Sequence, residues 1–318
     1  MTVHAPAGPS DVGRRRRLAR LGGPTGVVSG IAMDHRDSLR ATLAERGVGD
    51  LSDGQVRELK LSLARGLAPA ATAIMIDAEF GGAALGAGVV PASVAIVMPL
   101  EAQGYEAGGD DRLTTLLTDF SPADALRWGA DACKILVPYR ADVESSAAPQ
   151  DALIVATAAA CHDLGLPLVV EPVVYQRSIE SSEEFTAAYE ALVLGAVARI
   201  EPLGADLLKL PFPVRDLGAA AESGAAAACA ALAAACRDTP WVLLGAGTDT
   251  DIFVEQIRLA GQAGASGFLA GRGIWGPALS ADPGSVRRAA AGPSLLAFRR
   301  CRDVAERHAR PLPSSPAG

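Results

Sequence analysis

The chain has 318 residues, 49% of them hydrophobic and 20% charged, and its formal net charge is −7. This composition supports a large apolar core and excludes disorder over most of the chain, and the acidic balance disfavours a nucleic-acid partner. No segment has the apolar density of a membrane span or of a signal peptide, so we expect a cytoplasmic protein without membrane contacts.

Both ends of the chain are rich in Pro, Gly, Ser and Ala, so residues 1–12 and 311–318 are expected to be flexible. The one basic cluster, Arg14 to Arg17, is interpreted as the solvated face of a first helix. The five cysteines form no CxxC pair and their number is odd. This pattern indicates buried thiols in a reducing compartment rather than disulfides or a zinc site.

Eight short apolar runs recur between these ends, each of the length of a buried parallel strand. They are Val27–Met33, Ala73–Ile76, Val94–Met98, Ala132–Val137, Pro167–Val170, Leu207–Leu210, Trp241–Leu244 and Gly267–Ala270. Most of them are separated by helical patterns. Examples of these helical patterns are Asp53–Leu67, Pro122–Trp128, Asp151–Leu164, Ser182–Ile200, Ala219–Cys236 and Thr250–Ala263.

Glycine-containing segments such as Gly129-Ala130-Asp131 precede several of these strands, as is typical of the turn from a helix to the next strand. Eight β/α units predict an α/β fold, a (β/α)8 TIM barrel that occupies residues 13–310 as a single domain. A doubly wound open sheet is the alternative, although no GxGxxG follows the first strand. The long polar connection from Pro99 to Ser121 is typical of an active-site loop.

Lysine is rare in this chain, since only Lys60, Lys134 and Lys209 among the 29 basic residues are lysines. Arginine stays protonated and cannot form a Schiff base, so each remaining lysine is a candidate for one. Lys134 and Lys209 lie within predicted strands, where burial lowers the pKa of an amine. A buried ion pair with a carboxylate is the alternative role for either of them, and Lys60, in a helical pattern, is interpreted as structural.

The active site of a TIM barrel lies at the carboxyl ends of its strands. Asp34 and His35 follow the first strand, and Glu171 follows the fifth. Glu171, near two lysines, is expected to move protons, with a plain ion pair as the alternative. Asp34 is expected to orient a lysine or to bind substrate hydroxyls, whereas a lone histidine such as His35 is more often structural than catalytic.

Glycine turns follow the last two predicted strands, at the position where barrels commonly bind phosphate. They are Gly245-Ala246-Gly247 and Gly271-Arg272. Their backbone N–H groups are expected to bind an oxyanion, and the Arg272 guanidinium adds further donors. The four histidines are scattered and form no HxH or HExxH motif, and no GxSxG is present. We therefore expect neither a metal, nor a cofactor, nor a serine nucleophile.

Six segments, which span roughly Leu18 to Trp275, together resemble one known family. They are Ala32-Met-Asp-His-Arg-Asp-Ser-Leu (A-x-D-Q-R), Ile76-Asp-Ala-Glu-Phe-Gly (L-D-P-E-Y-G), Glu101-Ala-Gln-Gly-Tyr-Glu (E-x-x-G-Y-D), Gly129-Ala-Asp-Ala-Cys-Lys-Ile-Leu (G-A-D-A-x-K-x-L), Asp206-Leu-Leu-Lys-Leu-Pro (D-x-x-K-x-E-x-P) and Gly267-Phe-Leu-Ala-Gly-Arg-Gly-Ile-Trp (G-x-x-x-G-R-A-x-W). The chain resembles the class I, Schiff-base aldolases of the tagatose-1,6-bisphosphate aldolase and sulfofructosephosphate aldolase group. His35 stands where that group has glutamine, Gly245 where it has serine, and Pro211 where it has an acidic residue.

The resemblance implies a TIM barrel in which Lys209 forms an imine with the substrate ketone. It implies proton transfer by Glu171, with Lys134 and Asp34 beside it.

For substrate binding, the resemblance implies that Arg272 and the turn at Gly247 hold the phosphate next to the ketone. It implies that Arg36 contacts a second anionic group at the far end of the substrate.

The implied activity is metal-independent cleavage of a ketose 1-phosphate with a second anionic group. Such a substrate is either like tagatose 1,6-bisphosphate or is 6-deoxy-6-sulfofructose 1-phosphate. The products are dihydroxyacetone phosphate and a three-carbon aldehyde. We expect a phosphorylated sugar as the partner and a homo-oligomeric assembly. The alternatives are a DhnA-type transaldolase or thiolase on the same fold, and a non-catalytic aldolase-like metabolite sensor.

Overall fold

Eight parallel strands form a closed barrel in chain order, so that each strand pairs with its sequence neighbours and β1 pairs with β8. This computed structural model describes residues 8–103, 109–110, 112–215 and 222–313. The strands are β1 (Val28–Met33), β2 (Ala73–Ile76), β3 (Ala95–Pro99), β4 (Ala132–Pro138), β5 (Leu168–Val173), β6 (Leu207–Leu210), β7 (Trp241–Leu244) and β8 (Gly267–Ala270). The predicted TIM barrel is therefore confirmed, and the open sheet is not the fold.

Helices connect the strands and surround the barrel. They are α1 (Pro9–Arg20), α2 (Asp37–Glu45), α3 (Asp53–Leu67), α4 (Gly82–Gly86), α5 (Pro122–Arg127), α6 (Glu144–Asp163), α7 (Ser182–Ile200), α8 (Glu222–Cys236), α9 (Thr250–Gln262), α10 (Arg272–Trp275), α11 (Pro283–Ala289) and α12 (Leu295–His308). Helices α3 and α7 have the predicted bounds because a serine and the residue three positions later form a capping box at each start. Helix α6 begins earlier than predicted and tolerates Pro149 near its start. Helices α2, α4, α10, α11 and α12 were not predicted.

Helix α1 lies across the amino-terminal end of the barrel and is attached by polar contacts. Arg14 donates to Asp206 at 2.5 Å, and Arg17 donates to the carbonyl oxygen of Gly165 at 2.9 Å. The basic cluster is therefore only partly a solvated face. Pro9 to Val12, expected in a flexible segment, belong to this helix, and Pro at its first turn favours that start. Leu312, expected in the flexible tail, is buried against the barrel.

Two apolar clusters divide the core. The larger one fills the space between the strands and the helices, and the smaller one fills the interior of the barrel. Interior residues such as Ala132, Val169 and Leu207 point inward, and side chains in a strand alternate between its two faces. The next inward position of each of these strands lies two residues further toward its carboxyl end. At these positions the sequence has charged residues, namely Lys134, Glu171 and Lys209. Within the described ranges, no helix is long and apolar enough to cross a membrane.

Candidate active site

A cavity of about 310 Å³ opens at the carboxyl ends of the strands. It brings together nine of the ten residues that the sequence indicated for the site. They are Asp34, Lys134, Glu171, Lys209, Gly245, Ala246, Gly247, Gly271 and Arg272. The tenth, Arg36, does not line this cavity. The alternation of side chains along a strand accounts for much of this assembly. Asp34, Lys134, Glu171 and Lys209 each lie two positions after an inward apolar residue of the same strand or strand end.

Three carboxylates surround the ammonium group of Lys134, which is 2% exposed. Its Nζ lies 2.8 Å from Asp34 Oδ2, 2.5 Å from Glu101 Oε1 and 3.1 Å from Glu171 Oε2. Buried charges are costly unless they are paired, and this arrangement places one cation among carboxyl groups from three different strand ends. Lys134 is thus the electrostatic centre of the site.

These contacts set the protonation states of the cluster. Burial opposes the charge on Lys134, but Asp34, Glu101 and Glu171 together raise the pKa of Lys134 well above its usual range. Burial likewise opposes ionisation of Asp34 and Glu171, yet Lys134 and Lys209 hold the pKa of both carboxyls below their usual values. Burial prevails at Glu101 and raises the pKa of its carboxyl. Lys134 is consequently charged, and Asp34 and Glu171 are ionised.

Lys209 lies on β6 with its side chain directed into the barrel, and among the described residues it contacts fewer carboxylates than Lys134 does. Its Nζ lies 2.7 Å from Glu171 Oε1 and 3.9 Å from the sulfur of Met75. The side chain is buried and lines the cavity. Its Nζ therefore has one carboxylate partner within the described part of the chain, and that partner, Glu171, is ionised.

The turn after β7 has a strained backbone. Ala246 has φ of 43° and Gly247 has φ of 76°, both in the left-handed region. A non-glycine residue there is uncommon, and such strain often marks a ligand-binding segment. Gly273 permits the close approach of the two turns, since a Cβ atom on it would lie 2.4 Å from the carbonyl oxygen of Thr248. Arg272, on the adjacent turn, is exposed and lines the cavity.

Arg36 lies beside a separate cavity of about 260 Å³. Its guanidinium is buried and donates from Nη2 to the carbonyl oxygen of Glu101 at 2.5 Å. The backbone N–H of Arg36 donates to Oε1 of Gln103 at 2.9 Å. The structure therefore ties Arg36 to the segment after β3 rather than placing its cation in the reaction cavity.

Sequence reasoning missed Glu101 and Gln103 as members of the site. Both line the cavity, and both lie in the connection between Pro99 and Ser121 that was predicted to be an active-site loop. The sequence did contain a signal for Glu101. It lies an even number of positions after the inward residues Ala95 and Val97 of β3, so its side chain is expected on the inner face of the barrel. Residues 104–108 and 111 of this connection lie outside the described residues.

Lys60 lies outside the cavity, in agreement with its interpretation as a structural residue. It pairs with Asp77, and both side chains are buried. Burial lowers the pKa of Lys60, and Asp77 opposes this change. Asp77 also accepts from the backbone N–H of Phe80 at 2.7 Å, so the pair fixes the turn after β2. The five cysteines are buried free thiols, as the sequence indicated.

Known proteins resemble this chain over most of its length. Residues 28–276 match the model of the DeoC/LacD family aldolases. A tagatose 1,6-diphosphate aldolase 2 from Streptococcus mutans is 31% identical, over 81% of this chain and 82% of that protein. A tagatose 1,6-diphosphate aldolase 2 from Enterococcus faecalis is 28% identical, over 83% of each chain.

Solved structures share the fold at lower sequence identity. A fructose-bisphosphate aldolase from Slackia heliotrinireducens superimposes with a TM-score of 0.64 at 19% identity, over 95% of this chain and 94% of that chain. A fructose-bisphosphate aldolase from Plasmodium falciparum gives a TM-score of 0.67 at 13% identity, over 98% and 99% of the two chains. The family match covers well over half of the sequence, and the chain therefore belongs to the DeoC/LacD aldolase family and is a lyase.

Proposed function

We propose that this aldolase cleaves a ketose 1-phosphate through an imine on Lys209, in the reversible manner of a class I enzyme. The observation that carries the proposal is the 2.7 Å contact between Lys209 Nζ and Glu171 Oε1 in the wall of the cavity. A lysine forms an imine only as the free amine. The ionised Glu171 carboxylate is placed to take the proton that Lys209 must lose.

The environment of Lys134 supports the choice of Lys209 as the nucleophile. Three carboxylates hold the proton on Lys134, so its amine lacks the free electron pair that addition to a carbonyl requires. Its role in the proposal is electrostatic. The fixed ammonium keeps Asp34 and Glu171 ionised, and it stabilises negative charge that develops on a substrate oxygen nearby.

The proposed reaction uses Glu171 as the base of the cleavage step. The Lys209 amine adds to C2, and Glu171 returns the proton it took to the C2 hydroxyl, which leaves as water. These steps give an iminium ion and restore the Glu171 carboxylate. Glu171 then takes the proton of the C4 hydroxyl, the C3–C4 bond breaks, and its electron pair moves to the iminium nitrogen. The aldehyde leaves, C3 of the enamine is protonated, and water hydrolyses the imine to release dihydroxyacetone phosphate.

The phosphate beside the ketone is assigned in this proposal to the turns after β7 and β8. Gly245, Ala246, Gly247, Gly271 and Arg272 line the cavity. Their backbone N–H groups and the Arg272 guanidinium would bind the phosphate. The relatives from Streptococcus mutans and Enterococcus faecalis are named for a ketose bisphosphate, which supports a substrate with a second anionic group. That anion would contact Arg36 only if the guanidinium left the Glu101 carbonyl.

Borohydride trapping tests the proposal. The protein is incubated with dihydroxyacetone phosphate and borohydride, digested, and mapped by mass spectrometry. We expect one reduced adduct, on Lys209, and unmodified Lys134 and Lys60. Lys209→Arg keeps the positive charge but lacks the nucleophile, so it is expected to lose both the adduct and almost all cleavage activity. An adduct on Lys60 or Lys134, or none, would contradict the proposed function.

A further inference from the structure

His35 occupies a defined place in the cavity wall, directly after β1. Its ring packs edge-on against the indole of Trp275, with 5.3 Å between ring centroids and an interplanar angle of 82°. The indole is itself fixed, because its Nε1 donates to the carbonyl oxygen of Ala32 at 2.8 Å. This packing places the His35 ring in the wall of the cavity, beside the reacting groups.

The ring also lies against the turn assigned to phosphate. A Cβ atom built on Gly271 would lie 3.0 Å from Cε1 of His35 and 3.5 Å from its Nε2. The next residue is Arg272, so the imidazole stands between the Arg272 turn and Asp34. Asp34 Oδ1 is 3.6 Å from His35 Nδ1, beyond hydrogen-bond distance. The absence of a side chain at Gly271 is what admits the ring to this position.

Neither ring nitrogen of His35 makes a hydrogen bond to any residue that the structure describes, and Nδ1 is buried. Charged groups face the ring from several elements: Asp34 after β1, Lys134 on β4, Lys209 on β6 and Arg272 after β8. Burial and these three cations outweigh Asp34 and lower the pKa of His35 to about 4. The ring of the free protein is consequently neutral near pH 7.

We propose that His35 is a further phosphate-binding residue, whose ring takes up a proton when a phosphate dianion binds beside Arg272 and then donates a hydrogen bond to that phosphate. The inference rests on the proposed function only for the position of the phosphate. A dianion at this turn offsets the charge of Arg272 and adds negative charge near the ring, and both changes favour the imidazolium form.

Histidine gives this aldolase a property that glutamine at the same position would lack. A glutamine amide donates a hydrogen bond at any pH, whereas histidine donates from both nitrogens only when it is protonated. Binding of the phosphate dianion by this chain should therefore be coupled to proton uptake. By reciprocity, the affinity for the dianion should rise as the pH falls. If the dianion raises the pKa of the ring to about 6, the affinity for the dianion at pH 5.5 is roughly fourfold higher than without this coupling.

Titration calorimetry with inorganic phosphate tests the inference. Binding to the full chain is measured between pH 5.5 and 7.5, in buffer pairs of different ionisation enthalpy, for the unmodified protein and His35→Gln. We expect the unmodified protein to take up more protons on binding than His35→Gln. The ratio of its affinity to that of His35→Gln should fall roughly fourfold from pH 5.5 to pH 7.5. Ionisation of phosphate itself contributes equally to both and cancels in the difference.

His162→Gln is the matched control. His162 Nε2 lies 2.8 Å from Asp206 Oδ2 at the opposite end of the barrel, so this variant should behave as the unmodified protein. His35→Phe is a second variant that keeps a ring packed against Trp275. It provides the same test if His35→Gln does not fold. Both His35 variants should lose the additional proton uptake.

Equal proton uptake and equal pH slopes in the unmodified protein and both His35 variants would overturn the inference, and His35 would then only pack against Trp275. The two proposals fail separately, because inorganic phosphate forms no imine. Normal pH-linked phosphate binding without a trapped Lys209 adduct would refute the proposed Schiff base and leave the role of His35 intact.

Discussion

Glu171 contacts Lys209 and, through its other carboxylate oxygen, a second lysine. Its Oε1 lies 2.7 Å from Lys209 Nζ, and its Oε2 lies 3.1 Å from Lys134 Nζ. Among the described residues, Glu171 is the one carboxylate that contacts Lys209, whereas Lys134 contacts three. This asymmetry separates the roles of two lysines that look alike in the sequence.

Replacement of Glu171 by glutamine should remove the proton acceptor while keeping the shape of the side chain. We expect kcat for cleavage to fall by roughly 10²- to 10⁴-fold, the usual contribution of a general base. Steady-state cleavage assays measure this effect. Glu101→Gln is the comparison, since Glu101 contacts Lys134 and no contact to Lys209 occurs within the described ranges. An equal loss in both variants would argue against a specific role of Glu171.

Arg36→Ala should impair substrates with and without a far anion by similar factors. Arg36 supports the carbonyl of Glu101, and the loss of a hydrogen bond to a charged donor costs about 1.5–3 kcal/mol. The measurement is kcat/KM for a ketose 1,6-bisphosphate and for the matching 1-phosphate. A loss confined to the bisphosphate would instead support the direct contact with the far anion that the sequence implied.

Arg272→Ala should weaken every phosphorylated substrate. Truncation of a charge-assisted phosphate contact costs on the order of 2–4 kcal/mol, or roughly 30- to 1000-fold in kcat/KM. Binding of dihydroxyacetone phosphate in the condensation direction should weaken as well. Arg127→Ala is a suitable control, because Arg127 is exposed, pairs with Asp124 on α5 and does not line the reaction cavity. Unchanged affinity in Arg272→Ala would place the phosphate elsewhere.

Chelators should leave the activity intact. The position between Asp34, Glu101 and Glu171, which would otherwise attract a divalent cation, is taken by the ammonium of Lys134. Activity is measured after dialysis against EDTA and after addition of zinc or magnesium. Loss with EDTA and recovery with a metal ion would contradict the proposed imine mechanism.

Acid should destabilise the protein in part through Asp34. Burial opposes its ionisation, but Lys134 and Lys209 hold the pKa of Asp34 below the unfolded value of about 4. As the pH falls, Asp34 therefore binds a proton in the unfolded chain before it does so in the folded protein. Its contribution to the free energy of unfolding is fully present above about pH 4 and is lost as the pH falls toward the folded pKa. Urea unfolding between pH 2.5 and 7 should show a smaller acid loss for Asp34→Asn. Identical slopes would show that Asp34 is not held ionised by the two lysines.

The sequence by itself determined the strands and most of the reacting groups. Apolar runs of strand length with glycine turns between them fix local conformation, and β2, β6, β7 and β8 have the predicted bounds. The period of two along a strand then carries Lys134 and Lys209 to the inner face of any barrel built from these strands. The resemblance to aldolases assigned roles to the same residues.

Only the tertiary structure decided how these groups are paired and which of them are charged. Lys134 and Asp34 are 100 positions apart, and His35 reaches Gly271 because closure of the barrel brings β1 beside β8. Local preferences carry no information about such contacts, whereas pKa values depend on charges within a few ångströms and on burial. Glu101 lines the reaction cavity and Arg36 does not, and both positions have one cause. The segment after β3 packs against the end of β1, where Arg36 bonds to Glu101 and Gln103. No local sequence pattern encodes such a contact between distant parts of the chain.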